Sequence, residues 1–196
     1  MIEHLVVLLE EPSAEDFLRE IIRKVVPETV CVHFLVFEGK QDLEKQLPRR
    51  VRGWLQPNSR FFVMRDQDSG DCRQIKNRLV DLCVQAGRAD AVVRIACREL
   101  ESFFLGDLEA VAKAFNRPQI ARHRQTAKYR NPDLLGSPVD ELRKLVPGYQ
   151  KREGARRISP FLNLEVNQSR SFIAVIAGLN KALNRPPDRP RRPDVT

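Results

Sequence analysis

At 196 residues the chain is the size of one domain, or of one domain with an appendage, and its apolar share of 42% is that of a globular protein. No run approaches the roughly 18–20 unbroken apolar residues of a membrane span, and the opening MIEHLVVLLEEP is acidic and short for a secretory leader; no membrane partner is expected, and a cytoplasmic location is. The net charge of +8 lies wholly in the second half: residues 1–100 carry 16 Lys+Arg and 16 Asp+Glu, residues 101–196 carry 18 and 10.

The first hundred residues alternate between short apolar runs and helical patterns. HLVVLLE (residues 4–10) reads as a strand, and SAEDFLREIIRKVV as a helix that Ser13 caps, with Asp16 at the N3 position of a weak capping box. VCVHFLVFE (30–38) is apolar on both alternating faces, as a strand covered on both sides should be. Residues 42–54 follow as a helix interrupted by Pro48. RFFVMRD (60–66) is the third strand, and CRQIKNRLVDLCVQAGR the third helix, closed by Gly87. DAVVRIACREL is the fourth strand, running into one helix over 100–115. This order predicts an α/β fold: a mostly parallel four-stranded sheet with helices on both faces and right-handed crossovers.

The second half is less regular. NRPQIARHRQTAKYRNP sets Arg117, Arg122, Arg124, Lys128 and Arg130 around Tyr129; VDELRKLV and a stretch near 171–183 read as helices. The expected organisation is a core over 1–115, a basic helical extension over 116–184 packed on it, and a Pro/Arg-rich disordered tail over 185–196. A balanced half followed by a basic one points to a polyanionic partner, and nucleic acid is the natural one. Arg122, Arg124, Lys128, Arg130, Lys151 and Arg156, with Lys40 from the core, are the expected backbone-binding residues. The four cysteines form no CxxC pair and are expected as reduced, mostly buried thiols. His33 is expected as a core histidine.

Ligands of such sheets collect beyond the C-terminal strand ends. Here those ends carry Glu10 and Glu11, Glu38, Asp66 and Asp68, and Glu99 and Glu101, so every strand delivers acid to one edge. The densest group is DQDSGD, with Asp66, Asp68 and Asp71 in six positions. A calcium loop does not explain it: the sixth residue counted from Asp66 is Asp71 where glycine is required, and the twelfth is Asn77 where a bidentate acid is. Capping of the third helix explains Asp71. Asp66 and Asp68, at i and i+2 of a strand end, are expected to point the same way. Hard-cation chemistry accounts for that pair: Mg²⁺ or Mn²⁺ takes carboxylate oxygens and keeps waters and substrate phosphate in its shell.

A Glu closing the first strand, Asp-x-Asp closing the third and acids after the fourth resemble the Toprim domain of topoisomerases, primases and the overcoming-lysogenization-defect nucleases. More closely, the chain is similar to a family of small Toprim-like proteins encoded near ABC-type ATPases. Glu10-Glu11-Pro12-Ser13-Ala14 resembles that family's E-G-P-T-E, and Glu99-Leu100-Glu101-Ser102-Phe103 through Asp107 its E-x-E-aromatic segment. Tyr149 and Lys151 resemble its Tyr-x-Lys, and Ser169, Ser171 and Phe172 its Ser-x-Ser-Phe, so the likeness runs from about residue 3 to 183. It departs at Glu11, where the family has glycine, and at Ala14, where it has an acid that Glu15 offers one position later. Glu38-Gly39 with Asp42 imitates the first-strand pattern but follows the second strand, and Glu10 is preferred to it.

What the resemblance implies is a Mg²⁺- or Mn²⁺-dependent endonuclease of DNA or RNA, with Glu10, Asp66, Asp68 and Glu101 catalytic and Glu99 joining them as metal ligands. It also implies action in defence against phage or mobile elements, beside an ABC-type ATPase. The alternative is a Toprim-like regulator that binds nucleic acid or an ATPase without cleaving.

Overall fold

The computed structural model describes residues 2–183; the tail expected over 185–196 lies outside the described residues. Four strands, β1 (His4–Leu9), β2 (Cys31–Val36), β3 (Ser59–Asp66) and β4 (Val92–Ala96), form one sheet in the order β2-β1-β3-β4, parallel at every pair. The connections are helices α1 (Pro12–Val25), α2 (Lys40–Arg52) and α3 (Cys72–Gln85). After β4 come α4 (Glu101–Leu105), α5 (Leu108–Phe115), α6 (Pro138–Leu145), α7 (Lys151–Ile158) and α8 (Arg170–Ala182). Short 3-10 turns lie between α5 and α6 and after α7. No described helix is long and apolar enough to cross a membrane.

Strand alternation divides the core in two. Leu5, Val7 and Leu9 with Phe62 and Met64 face α1, α4, α5, α7 and α8; Val6 and Leu8 with Phe61, Val63, Val93 and Ile95 face α2 and α3. The first cluster also holds Tyr149, Ala155, Ile158, Phe172 and Val175, so the basic extension shares the main core. Ion pairs add to that seam: Asp16 of α1 binds Arg152 (2.8 Å) and Arg156 (2.9 Å) of α7.

Several local expectations are corrected. β2 is an edge strand and only half-buried, with Cys31 exposed, whereas β4 at the other edge is buried against α3 and α8. The N-cap of α1 is Glu11, because Pro12 already opens the helix; Ser13 lies inside it and donates its hydroxyl to Glu11. α2 runs unbroken through Pro48 rather than being interrupted there, with Leu43, Leu47 and Val51 buried along its length. The single helix expected over 100–115 is two. Asp107 caps α5 by accepting the Ala110 N–H (3.1 Å), and Gly106 packs so tightly that a Cβ would stand 2.1 Å from the Asn167 Oδ1. Of the four thiols only Cys83 is buried; all four are free.

Candidate functional site

Register decides which acids can meet. Leu9 of β1 lies beside Met64 of β3 as the last pair of that ladder, and just past it Glu10 reaches Arg65 and the Asp66 N–H. On β3, Phe62 and Met64 face the α1 side, and Asp66 follows them by alternation; Arg65 follows Phe61 and Val63 to the α2–α3 side. The C-terminal edge therefore presents two groups of charge, one on each face.

Asp66, Glu11 and Glu101 make up the first. Asp66 is 8% exposed and no described side chain hydrogen-bonds its carboxylate. Burial raises its pKa well above the ordinary aspartate range, Glu11, Glu101 and Glu10 push the same way, and Lys151 opposes them. Glu101, fully buried, accepts from the Tyr149 hydroxyl at 3.1 Å, while its Oε2 has no hydrogen-bond partner. Its pKa too is raised, by burial first, with Lys151 opposing. The Lys151 ammonium stands 3.5 Å from Glu11. Burial draws its pKa down, but Glu101, Glu11, Asp66 and Glu99 outweigh that and hold it above the ordinary lysine value. Gly154, one turn into α7, allows this packing, since a Cβ there would lie 2.0 Å from the Tyr149 ring. Glu99 turns aside to accept the Val139 N–H at the start of α6 (2.9 Å).

Glu10, Arg65, Glu44, Asp68 and Lys40 make up the second. Glu10 accepts the Asp66 backbone N–H (3.1 Å) and lies 3.7 Å from Arg65; burial raises its pKa, against the lowering by Arg65 and by that N–H. Arg65, 5% exposed, also binds Glu44 (3.0 Å). Asp68 does not point with Asp66. β3 ends at Asp66, and Asp68 adopts a left-handed conformation (φ 54°), so the two-residue alternation has already stopped. Its carboxylate is 38% exposed and binds Lys40 at 3.0 Å, with Arg65 at 3.9 Å. Asp71 caps α3 by accepting the Gln74 N–H (2.8 Å). Glu38 is exposed, its N–H held by Asp42 (3.2 Å).

The basic residues are not one surface. Arg124 pairs with Glu109 (2.6 Å), Lys128 with Glu141, and Arg156 with Asp16, while Lys151 belongs to the carboxylate group. Arg122 and Arg130 are exposed and carry no ion pair among the described residues. His33 is half-buried, bonded to His4 (3.1 Å) and edge-on to Trp54. Cavities of about 380 and 320 Å³ lie elsewhere; the second shares Tyr149 with the site but none of its acids.

Glu11, Arg65 and the central place of Lys151 are what sequence reasoning missed. Extending the β1 alternation two residues past Leu9 would have found Glu11. Among the described residues no group of three or more His, Cys, Asp or Glu could hold a metal ion as arranged. The donor chemistry of Glu11, Asp66 and Glu101 nevertheless fits a hard divalent cation: all are oxygen ligands, and Glu101 Oε2 is orphaned. Asp68 and Glu99 are committed to other partners.

A family model described as a domain of unknown function (DUF4276) matches residues 9–180, from the last residue of β1 into α8. No curated protein and no solved structure matches the chain.

Proposed function

The chain belongs to the family described as a domain of unknown function (DUF4276). From the chemistry of the strand-edge acids we propose that it is a divalent-cation-dependent phosphodiesterase acting on DNA or RNA. The observation that carries this reading is the group of Glu11, Asp66 and Glu101 at the strand edge, two of them raised in pKa by burial and one with an orphaned oxygen. Carboxylates are costly to bury together without a cation, and perturbed acids gathered at a sheet's ligand-binding edge mark functional sites. Glu11, Asp66 and Glu101 would hold Mg²⁺ or Mn²⁺, which supplies Lewis-acid stabilisation at a phosphoryl oxygen. Lys151 and Lys40, one on each side of the edge, attract the phosphates of the strand. Glu10 keeps its proton to higher pH than an ordinary glutamate, and it is the group suited to exchange a proton with the leaving or attacking oxygen. Toprim-like ancestry, a role in defence and an ABC-type ATPase partner belong to the same proposal on the strength of the motif resemblance.

One observation favours the non-catalytic alternative: cations already sit among these acids, Lys151 beside Glu11 and Lys40 beside Asp68. A single experiment divides the readings. Labelled duplex DNA, single-stranded DNA and RNA are incubated with the protein in Mg²⁺ or Mn²⁺, beside Asp66→Asn. Metal-dependent products lost in the variant support a nuclease. Metal-independent binding without cleavage, equal in both proteins, supports the regulator.

A further inference from the structure

Two thiols outside this chemistry stand within reach of each other. Cys72 is the first residue of α3, Cys97 directly follows β4, and their Sγ atoms are 3.7 Å apart. Both are free and half-buried, so small oxidants can reach them. We propose that Cys72 and Cys97 are a modification site, a dithiol that a hydroperoxide converts reversibly to a disulfide, clamping the loop between β3 and α3 to the end of β4.

The geometry favours closure, and because burial pushes the Cys97 thiol up to about 12, Cys72 supplies the sulfur that attacks the peroxide first. The sulfurs need to approach only from 3.7 Å to the roughly 2 Å of an S–S bond. The two segments already run side by side: Gln67 donates its N–H to the Ala96 carbonyl (2.9 Å) and Asp68 to the Arg98 carbonyl (2.8 Å). Cys97 is anchored by its own N–H on the Ser171 hydroxyl (3.2 Å), and Ser171 in turn is held by Asp133. Cys83 is buried in the core between α3 and the sheet, and Cys31 lies at the opposite, N-terminal edge, so neither competes.

The chemistry balances with hydrogen peroxide as oxidant. One sulfur attacks an oxygen, the O–O bond breaks, and a sulfenic acid and one water result. The second sulfur then attacks the first, the S–S bond forms, and the S–O bond breaks to release a second water. The peroxide takes two electrons from the sulfurs and both thiol protons end in water.

The test uses the full chain. Native protein is treated with hydrogen peroxide, unfolded, alkylated and digested, and the peptides are mapped by mass. A linked pair containing Cys72 and Cys97, lost with dithiothreitol while Cys31 and Cys83 remain alkylated, is the expected result. Amide hydrogen exchange over residues 67–71 should slow in the oxidised protein and recover on reduction; Cys72→Ser and Cys97→Ser should each remove both effects. Recovery of Cys72 and Cys97 alkylated singly, or driven on to sulfinic acid without a linked pair, overturns the proposal. The mapping is made on the wild-type chain, so it does not depend on either variant folding.

Discussion

Removing the Tyr149 hydroxyl isolates the energetics of the buried acid group. In Tyr149→Phe the fully buried Glu101 loses its one side-chain donor, a 3.1 Å bond, and its other oxygen has no partner to compensate. A hydrogen bond to a charged acceptor is worth about 1.5–3 kcal/mol, whereas one to a neutral acceptor is worth about 0.5–1.5. For a chain of this size each kcal/mol moves the Tm by roughly 2–4 °C, so the variant should melt roughly 3–12 °C lower at neutral pH. In a Glu101→Gln background the same change should cost about half as much, because the acceptor is then neutral. The sign of the pH dependence follows from the raised pKa of Glu101. Its folded form binds the proton more tightly than the unfolded chain, so its contribution is fully present below the unfolded value near about 4.3 and is lost as pH rises through the folded value. The penalty of Tyr149→Phe should therefore shrink on acidification, as Glu101 takes up its proton. Thermal melts of the four proteins of this cycle across pH 4–8 provide the measurement. An equal loss in both backgrounds, or none in either, would show that the hydroxyl does not serve a charged carboxylate.

Asp66→Asn should raise the stability of the metal-free protein at neutral pH, since the raised pKa marks an ionised form that burial and its neighbours disfavour; the gain should vanish below the unfolded aspartate value of about 3.9, where the wild type is protonated in both states. Mn²⁺ should stabilise the wild type and not this variant, and an equal metal response in both would remove Asp66 from the cation site. Asp68→Asn is expected to change stability by no more than about 1 kcal/mol, because its pair with Lys40 is solvent-screened, Arg65 at 3.9 Å keeps Glu10 and Glu44, and asparagine tolerates the left-handed backbone. A larger loss in urea unfolding would mean that Asp68 braces the edge. Arg122→Glu and Arg130→Glu should weaken nucleic-acid binding, and each should lower the slope of log affinity against log salt by about 1. Unchanged slopes in a salt titration would show that this exposed stretch does not touch phosphate.

Much of the fold was legible because its signals are local. β1, β3 and β4 are short, nearly continuous apolar runs, and the connecting helices bury residues that recur at three and four: Phe17, Leu18, Ile21 and Ile22 in α1, Leu43, Leu47 and Val51 in α2. The exposure of β2 is different. CVHFLV looks as buried as any inner strand, but it lies at a sheet edge without the cover that α3 and α8 give to β4 at the other edge. The break between α4 and α5 was hidden for a related reason. Gly106 and Asp107 read as ordinary helix residues until Asn167 and Asn163, some 60 positions on, supply the contacts that fix the turn. The Ser-x-Ser-Phe segment is likewise explained by distant partners: Ser169 caps α8 through the Phe172 N–H, and Asp133 binds both serines.

The acids at the strand edge were legible as a set but not as a geometry. Alternation is assured only while the chain remains a strand, and past the strand ends it fails at one place here and holds at another. At β3 it was carried too far: Asp68 lies past the strand end, in a left-handed turn, and faces Lys40 instead of joining Asp66. At β1 it was not carried far enough: Glu11 caps α1 and continues the face of Leu9 to meet Asp66, while Glu10 turns to Arg65. Glu11 thus places a carboxylate beside Asp66 and within 3.5 Å of Lys151. Lys151 was expected on a nucleic-acid surface by its charge alone. Its position follows from Gly154, whose missing side chain lets Tyr149 pack against α7 and reach Glu101. The one residue without chemistry in that segment is what lets its neighbours take part in the site.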